Sequence, residues 1–272
     1  MSPSSIDRLL APHRAAAGRR ARCGTRPGTL LRSQIPVLVE HRDIQAPGWI
    51  EADSVAHCGD STAGDHVWSL TFTDVLSQWT ENRACFNKGG HAVCERVAAV
   101  EADLPFPILG FDCDNGSEFL NHHLVAYFHR RERKVAFTRS RPYRKNDNAR
   151  VEQKNWTHVR QLVGYCRLGD PRQAELLDAL YREIWNPWRN FFCPAMRLVE
   201  KRREGSRLLR RYDRPQTPFD RLKASGTVEP HKIATLQRQM DALDPFEMKR
   251  QIEARLRAIL RWTPAHQNRM AA

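Results

Sequence analysis

Residues 108–119, ILGFDCDNGSEF, decide the fold of this chain, because they join a short apolar strand to a tight turn. The apolar run 108–114 has the length of a buried strand and ends in Asp114. Asn115 and Gly116 follow at once, and these two residue types favour a turn at that point. The stretch therefore predicts a carboxylate held where a buried strand ends.

The segments on either side of this strand indicate an α/β fold. In chain order we predict strands at 48–56, 67–73 and 79–86, a helix at 90–104, the strand 108–114, a helix at 117–131 capped by Ser117, a strand at 134–140, a helix carrying Glu152, and a helix at 171–186 that ends at Pro187. Three leading strands form a meander, and strands separated by helices join it through parallel crossovers. This order is similar to that of a ribonuclease H-like mixed five-stranded sheet flanked by helices. In such a sheet the first and fourth strands are neighbours, so Asp53 and Asp114 come together.

Charge divides the chain into three regions. Residues 1–34 form a basic arm or linker, residues 35–193 form the core, and residues 194–272 form a basic and mostly helical region. The formal net charge of +13 is typical of proteins that bind a polyanion or an acidic membrane surface. No apolar run is long enough to suggest a membrane span. Seven cysteines without a CxxC pair indicate reduced thiols, as in a cytosolic protein.

Three carboxylates, Asp53, Asp114 and Glu152, are the candidate metal ligands. Asp53 ends the run GWIEAD (48–53), and Glu152 lies in RKNDNARVEQKNW (144–156). Magnesium prefers oxygen ligands, and two such ions about 3.5–4 Å apart can activate an attacking hydroxyl and stabilise the leaving oxygen of a phosphodiester. We therefore predict a site for two Mg²⁺ ions, with Mn²⁺ as a substitute. Taken singly, each residue is more often a surface, cap or turn residue, so the hypothesis depends on the combination.

These residues and their spacing resemble the DDE integrase/transposase superfamily, in particular its bacterial insertion-sequence transposases. DNGSEF (114–119) and RPYRKNDNARVEQKNW (141–156) carry the resemblance, which covers about residues 47–192. It implies that residues 35–193 form an integrase catalytic core in which Asp53, Asp114 and Glu152 bind metal. It also implies a DDE-type polynucleotidyl transferase that cleaves DNA and transfers strands without a covalent protein intermediate.

The same resemblance implies partners and a location. DNA, as element ends and as target, is the expected substrate, and copies of the chain are expected to associate on it in the bacterial cytoplasm, at the nucleoid. Two features depart from the family. Its members usually begin with a helix-turn-helix region, whereas 34 residues stand before this core, and the HHCC zinc module of retroviral integrases has no counterpart here. One interpretation of residues 1–34 is the remnant of a truncated DNA-binding region.

A basic loop leads into the helix of Glu152 and is the predicted DNA contact. Positive charge beside a metal site favours contacts with phosphates. On the helix itself, two residues four apart either line the same groove or form a solvated stripe. The basic run 197–214 either follows the DNA backbone or is a solvated helix. The predicted DNA-binding residues are Arg139, Arg141, Tyr143, Arg144, Lys145, Lys154 and His158.

Two other functions stay open. A ribonuclease H-like nuclease would hydrolyse its substrate without joining strands. A catalytically idle DNA-binding remnant would modulate a full-length transposase by mixed assembly. The three intact carboxylates favour an enzyme, whereas the short region before the core favours the remnant.

Overall fold

The computed structural model of the chain describes residues 5, 8–9, 35–37, 44–141 and 149–262. Its centre is a five-stranded sheet in the order β3-β2-β1-β4-β5. The strands are β1 (Trp49–Ala56), β2 (Val67–Asp74), β3 (Thr80–Phe86), β4 (Gly110–Cys113) and β5 (Ala136–Arg139). The first three form an antiparallel meander, and β4 and β5 run parallel to β1. The predicted ribonuclease H-like mixed sheet is therefore confirmed.

Helices pack around this sheet. They are α1 (Gly90–Asp103), α2 (His122–His129), α3 (Ala149–Lys154), α4 (Gln161–Val163), α5 (Pro171–Leu180), α6 (Asn186–Phe192), α7 (Pro218–Ser225), α8 (Pro230–Asp241) and α9 (Pro245–Arg261). Two π-helical segments, Asn155–Arg160 and Tyr181–Trp185, connect α3 to α4 and α5 to α6. The helix that carries Glu152 therefore continues through a wider turn directly after α3. No helix in these described ranges is long and apolar enough to cross a membrane.

Alternation along β2 divides its side chains between the two faces of the sheet. Trp68, Leu70 and Phe72 share one face, as predicted, and all three lie in the larger apolar core. Ser69 points to the other face but is also fully buried, and its hydroxyl lies 2.9 Å from the hydroxyl of Tyr181. Helices therefore cover both faces. On the second face, Val67 and Ala84 pack in an apolar cluster with the helices, and Ser69 adds a polar contact with Tyr181.

Two predicted helix boundaries are wrong. The sequence predicts a helix over 117–131 capped by Ser117, but the helix begins at His122, because Asn121 is its cap and accepts a hydrogen bond from the Leu124 N–H at 3.0 Å. The sequence also predicts a helix end at Pro187. That proline instead lies in the first turn of α6. The N–H groups of a first turn have no hydrogen-bond partner within their own helix, so a residue without an N–H is tolerated there.

The region after residue 193 combines a hairpin with helices α7, α8 and α9. β6 (Leu198–Glu204) and β7 (Arg207–Tyr212) form a separate antiparallel pair, so the interpretation of 197–214 as a helix is wrong. Gly205 stands at the turn with φ of 59°, a conformation that glycine adopts without strain. The three helices make up most of the remainder, as the predicted mostly helical character requires.

Candidate active site

The parallel pairing of β1 with β4 places Asp53 and Asp114 side by side. Ala52 pairs with Cys113, and the next residue along each chain segment is one of the two aspartates. Since side chains alternate along a strand, both carboxylates project from the same face of the sheet. Asp114 directly follows β4, as predicted, whereas Asp53 lies inside β1, because that strand continues to Ala56.

Helix α3 is fastened to β1 on both sides of Glu152. Asn155 Nδ2, just after α3, donates a hydrogen bond to Asp53 Oδ2 at 2.7 Å. Glu51 accepts hydrogen bonds from Arg150 Nη1 at 2.8 Å and from a main-chain N–H of α3 at 3.1 Å. The contacts hold Glu152, which is exposed, beside the strand that carries Asp53.

A fourth carboxylate, Glu118, belongs to the same cluster. It is buried, accepts a hydrogen bond from Ser54 Oγ at 2.9 Å, and lies 3.4 Å from Lys88 Nζ. Gly116 leaves room for it, since a Cβ at that position would lie 2.6 Å from Glu118 Cδ. The Gly116 N–H also donates to Asp114 Oδ1 at 2.9 Å. Glu118 is not among the predicted ligands, although its place four residues after Asp114 in the same motif was a signal for it.

The carboxylates of the cluster carry more negative charge than the nearby cations compensate. Burial, and then the charge of Asp114, raise the pKa of Asp53 to about 8, with further contributions from Glu152 and Glu118. Burial, and then the charge of Glu118, raise the pKa of Asp114 to about 6, and Lys88 offsets only part of that rise. Like charges crowded into a buried site disfavour ionisation, and a bound cation relieves the repulsion.

The donor set fits a hard divalent cation in kind. Carboxylate oxygens are the ligands that Mg²⁺ prefers, and the raised pKa values of Asp53 and Asp114 mark a deficit of positive charge. Among the residues that the structure describes, however, no three histidine, cysteine, aspartate or glutamate side chains form a group that could hold a metal ion. The three predicted ligands are electrostatic neighbours, and their coordination of metal stays a prediction.

Arg139, whose contact with DNA stays a prediction, is also part of the scaffold behind Asp114. Its Nη1 donates to Asn115 Oδ1 at 3.0 Å, and its Nε donates to the carbonyl oxygen of Ile35 at 3.1 Å. Asn115 Nδ2 in turn donates to the carbonyl oxygen of Ser140 at 2.9 Å. These bonds tie the turn after β4 to the end of β5, so Arg139 positions the turn.

The other residues of the basic loop are described only in part. Arg141 is partly exposed at the start of the loop. Tyr143, Arg144 and Lys145 lie outside the described residues. DNA contacts by these four stay predictions.

Lys154 and His158 are buried, so they form neither a groove lining nor a solvated stripe in this structure. Lys154 is 5% exposed and His158 is 1% exposed. His158 contacts Arg189 of α6 and the ring of Trp185. Arg189 Nε donates to His158 Nε2 at 3.3 Å, which leaves the ring proton on Nδ1, 3.2 Å from Asn82 Oδ1. Burial, and then the charges of Lys154 and Arg189, hold the pKa of His158 well below its ordinary value. His158 is therefore a neutral packing residue.

The chain is similar to a curated protein and, weakly, to a solved structure. The uncharacterized protein y4rM of Sinorhizobium fredii (strain NBRC 101917 / NGR234) is 37% identical over 225 residues, which are 81% of this chain and 63% of that protein. The chain thus spans less than two thirds of the length of this relative. A chain in the cryo-EM structure of the simian T-cell lymphotropic virus intasome in complex with PP2A regulatory subunit B56 gamma matches over 60% of each chain, with a TM-score of 0.39 and 11% identity. A likeness this weak establishes neither fold nor function, so the fold is assigned from the strand order.

No protein-family model matches the chain.

Proposed function

We propose that this chain is a DDE-type polynucleotidyl transferase that cleaves DNA and joins a 3′-hydroxyl end to a target strand, as a transposase does. One observation carries the proposal: Asp53 and Asp114 adjoin across β1 and β4, with Glu152 close enough to act on the pKa of Asp53. Open α/β sheets bind ligands outside the carboxyl ends of their strands, and Asp114 directly follows the carboxyl end of β4.

Asp53, Asp114 and Glu152 would hold two Mg²⁺ ions, or Mn²⁺ in their place. Bound there, the ions supply activation of the attacking hydroxyl and stabilisation of the leaving oxygen. In the described ranges, no three histidine, cysteine, aspartate or glutamate side chains form a group that could hold a metal ion. We therefore expect Glu152 to turn towards the two aspartates when metal binds.

The chain's own polar groups keep the carboxylates oriented before any substrate arrives. Asn155 holds one oxygen of Asp53, and the Gly116 N–H holds one oxygen of Asp114. Ligands that are positioned in advance lose less entropy when a metal or a substrate binds. The support from Asn155 comes from the helix of Glu152, so the three proposed ligands depend on one packing arrangement.

DNA is the proposed partner, both as element ends and as target, with copies of the chain associating on it. The net charge of +13 supports binding to a polyanion. We place this activity in the bacterial cytoplasm, at the nucleoid, because that is where such a substrate is found.

Strand joining is the direct test. The purified chain is incubated with a labelled oligonucleotide that has a free 3′-hydroxyl, excess plasmid and Mn²⁺, and the products are separated on a denaturing gel. We expect a joined product that disappears in Glu152→Gln and Asp114→Asn. The matched control is Glu132→Gln, which neutralises an exposed acid outside the cluster and should leave joining intact.

Two other outcomes would reject strand transfer. Cleaved plasmid without joined product would favour a ribonuclease H-like nuclease. Bound DNA with neither cleavage nor joining would favour the catalytically idle DNA-binding protein. In either enzyme case, Asp114→Asn should bind DNA as tightly as the wild type or slightly more tightly, because it removes a negative charge near phosphates.

A further inference from the structure

The hairpin β6–β7 exposes every one of its side chains. Directly opposite residues of an antiparallel pair point to the same side, so the register sorts the side chains into two faces. The basic face consists of Lys201, Arg203, Leu208 and Arg210, with Tyr212 and its partner Leu198 at the base of the hairpin. The mixed face consists of Glu200, Arg202, Glu204, Arg207, Leu209 and Arg211.

The two faces differ in how their charges are compensated. On the mixed face, Arg211 Nε lies 3.0 Å from Glu200 Oε2, and Arg202 Nη2 lies 2.8 Å from Glu204 Oε1. The basic face contains no acid, and within the described residues its three cations make no ion pair. Three uncompensated cations on one side of an exposed ribbon form a surface complementary to a polyanion.

We infer that the basic face docks on the backbone of duplex DNA. A two-stranded ribbon can enter the major groove, which is about 12 Å wide, and strands of this length reach roughly 20 Å. Lys201 and Arg203 lie roughly 7 Å apart along β6, about twice the 3.4 Å axial rise per phosphate of one DNA strand. The inference rests on the proposed function only for the identity of the polyanion.

A set of hydrogen bonds at the base of the hairpin fixes the direction in which the basic face points. Asp213, which follows β7, accepts hydrogen bonds from Arg221 Nη1 and from the Arg197 N–H, both at 2.6 Å. Arg221 Nη2 also donates to the carbonyl oxygen of Ala195 at 2.7 Å. Arg221 belongs to α7, whose Phe219 is part of the larger core. Both strands of the hairpin are therefore held to the body of the protein at its base.

The test compares the two faces of the same hairpin. One variant combines Lys201→Gln, Arg203→Gln and Arg210→Gln. The control variant combines Arg202→Gln, Arg207→Gln and Arg211→Gln, so each loses three cations from exposed positions. Binding of a fluorescent duplex of about 20 base pairs is measured with EDTA present over a range of NaCl concentrations, and thermal unfolding checks that both variants fold.

The slope of log affinity against log salt changes by about 0.9 for each phosphate contact. With three contacts removed, the slope of the basic-face variant should be shallower than that of the wild type by about 2–3. Its affinity should fall by about a hundredfold at about 0.1 M salt. The control should keep the wild-type slope, because the slope reports phosphate contacts and not net charge.

An unchanged slope in the basic-face variant, or an equal fall in both variants, would overturn the inference. The binding measurement needs neither metal nor joining, so its failure differs from failure of the proposed function. A chain that binds through the basic face but joins no ends would refute strand transfer and leave this inference intact. A chain that joins ends but binds DNA equally well without the basic face would refute this inference and leave strand transfer intact.

Discussion

Asn155 Nδ2 donates a hydrogen bond to Asp53 Oδ2 at 2.7 Å, although 102 residues separate the two along the chain. The bond joins the helix of Glu152 to the strand of Asp53. Asn155 Oδ1 is buried and, in the described part of the chain, has no hydrogen-bond partner. Among the described residues, the carboxylate of Asp53 is therefore the group that orients this amide, and the amide in turn orients the carboxylate.

Asn155→Leu is expected to lower the free energy of unfolding by about 1–2 kcal/mol, because it removes the hydrogen bond and keeps the side-chain volume. Urea denaturation measures the change. Gln153→Ala is the control, since Gln153 is exposed on the same helix, and it should change stability by less than about 0.5 kcal/mol. Equal losses in the two variants would mean that the bond to Asp53 contributes nothing.

Gly116→Ala is expected to destabilise the protein by about 1–3 kcal/mol, because the new Cβ would lie 2.6 Å from Glu118 Cδ. Glu118 cannot easily move aside, since it is buried and bonded to Ser54. In a Glu118→Ala background the clashing atoms are absent, so the penalty should disappear. Denaturation of the wild type, both single variants and the double variant measures this coupling. An additive result would place the strain in the backbone of the turn.

Asp53 should make the metal-free protein less stable as the pH rises. Its pKa is raised from 3.8 to about 8 by burial and by Asp114. Between these values the folded state keeps the proton that the unfolded state has lost, so stability falls as pH increases through that window. Asp53→Asn cannot ionise and should be more stable than the wild type at about pH 8, by several kcal/mol.

Thermal unfolding in EDTA at about pH 5 and about pH 8 measures this difference. With Mg²⁺ in place of EDTA, the proposed metal site would stabilise the wild type more than the variant at the higher pH, because a cation would bind the ionised carboxylates. A wild type and variant with parallel pH profiles would contradict the raised pKa of Asp53.

Asp213→Asn is expected to cost about 3 kcal/mol of stability, because it leaves Arg221, which is 8% exposed, without its carboxylate partner. Although burial opposes it, hydrogen bonds from Arg221 and from the Arg197 N–H lower the pKa of Asp213. Its contribution should therefore be present at neutral pH and be lost as pH falls below the ordinary range of an aspartate. Glu200→Gln breaks an exposed pair and should cost less than about 1 kcal/mol. Similar losses in the two variants would show that the base of the hairpin is not specially stabilised.

Local signals in the sequence predict the sheet well. The alternation of Trp68, Leu70 and Phe72 identifies β2 and its core face, because period-two patterning reflects one buried side. The strand of Asp53 is also predicted closely, since the expected strand 48–56 matches β1 (Trp49–Ala56). Its residues beyond Asp53 pair with β2.

Tertiary packing accounts for the features that the sequence did not predict. Lys154 and His158 occupy positions that a helix exposes or buries according to its neighbours, and both are buried here. Glu118 becomes part of the cluster through Ser54, 64 residues away along the chain. The hairpin did have a signal, the Gly205–Ser206 turn, but its strands are so rich in arginine that they lack the alternating apolar residues by which strands are usually identified.

The charges of the hairpin also affect how copies of the protein behave in solution. In the described ranges, β6 and β7 pair only with each other, so the outer edge of each strand has unpaired main-chain groups. Open edges of this kind pair readily with other chains and lead to aggregation. The arginine and lysine side chains of these strands are expected to keep molecules apart by repulsion, whose range shrinks from about 10 Å at about 0.1 M salt to about 3 Å at about 1 M. Concentrated salt, often used to strip nucleic acid from basic proteins, would thus also weaken the colloidal protection of this one.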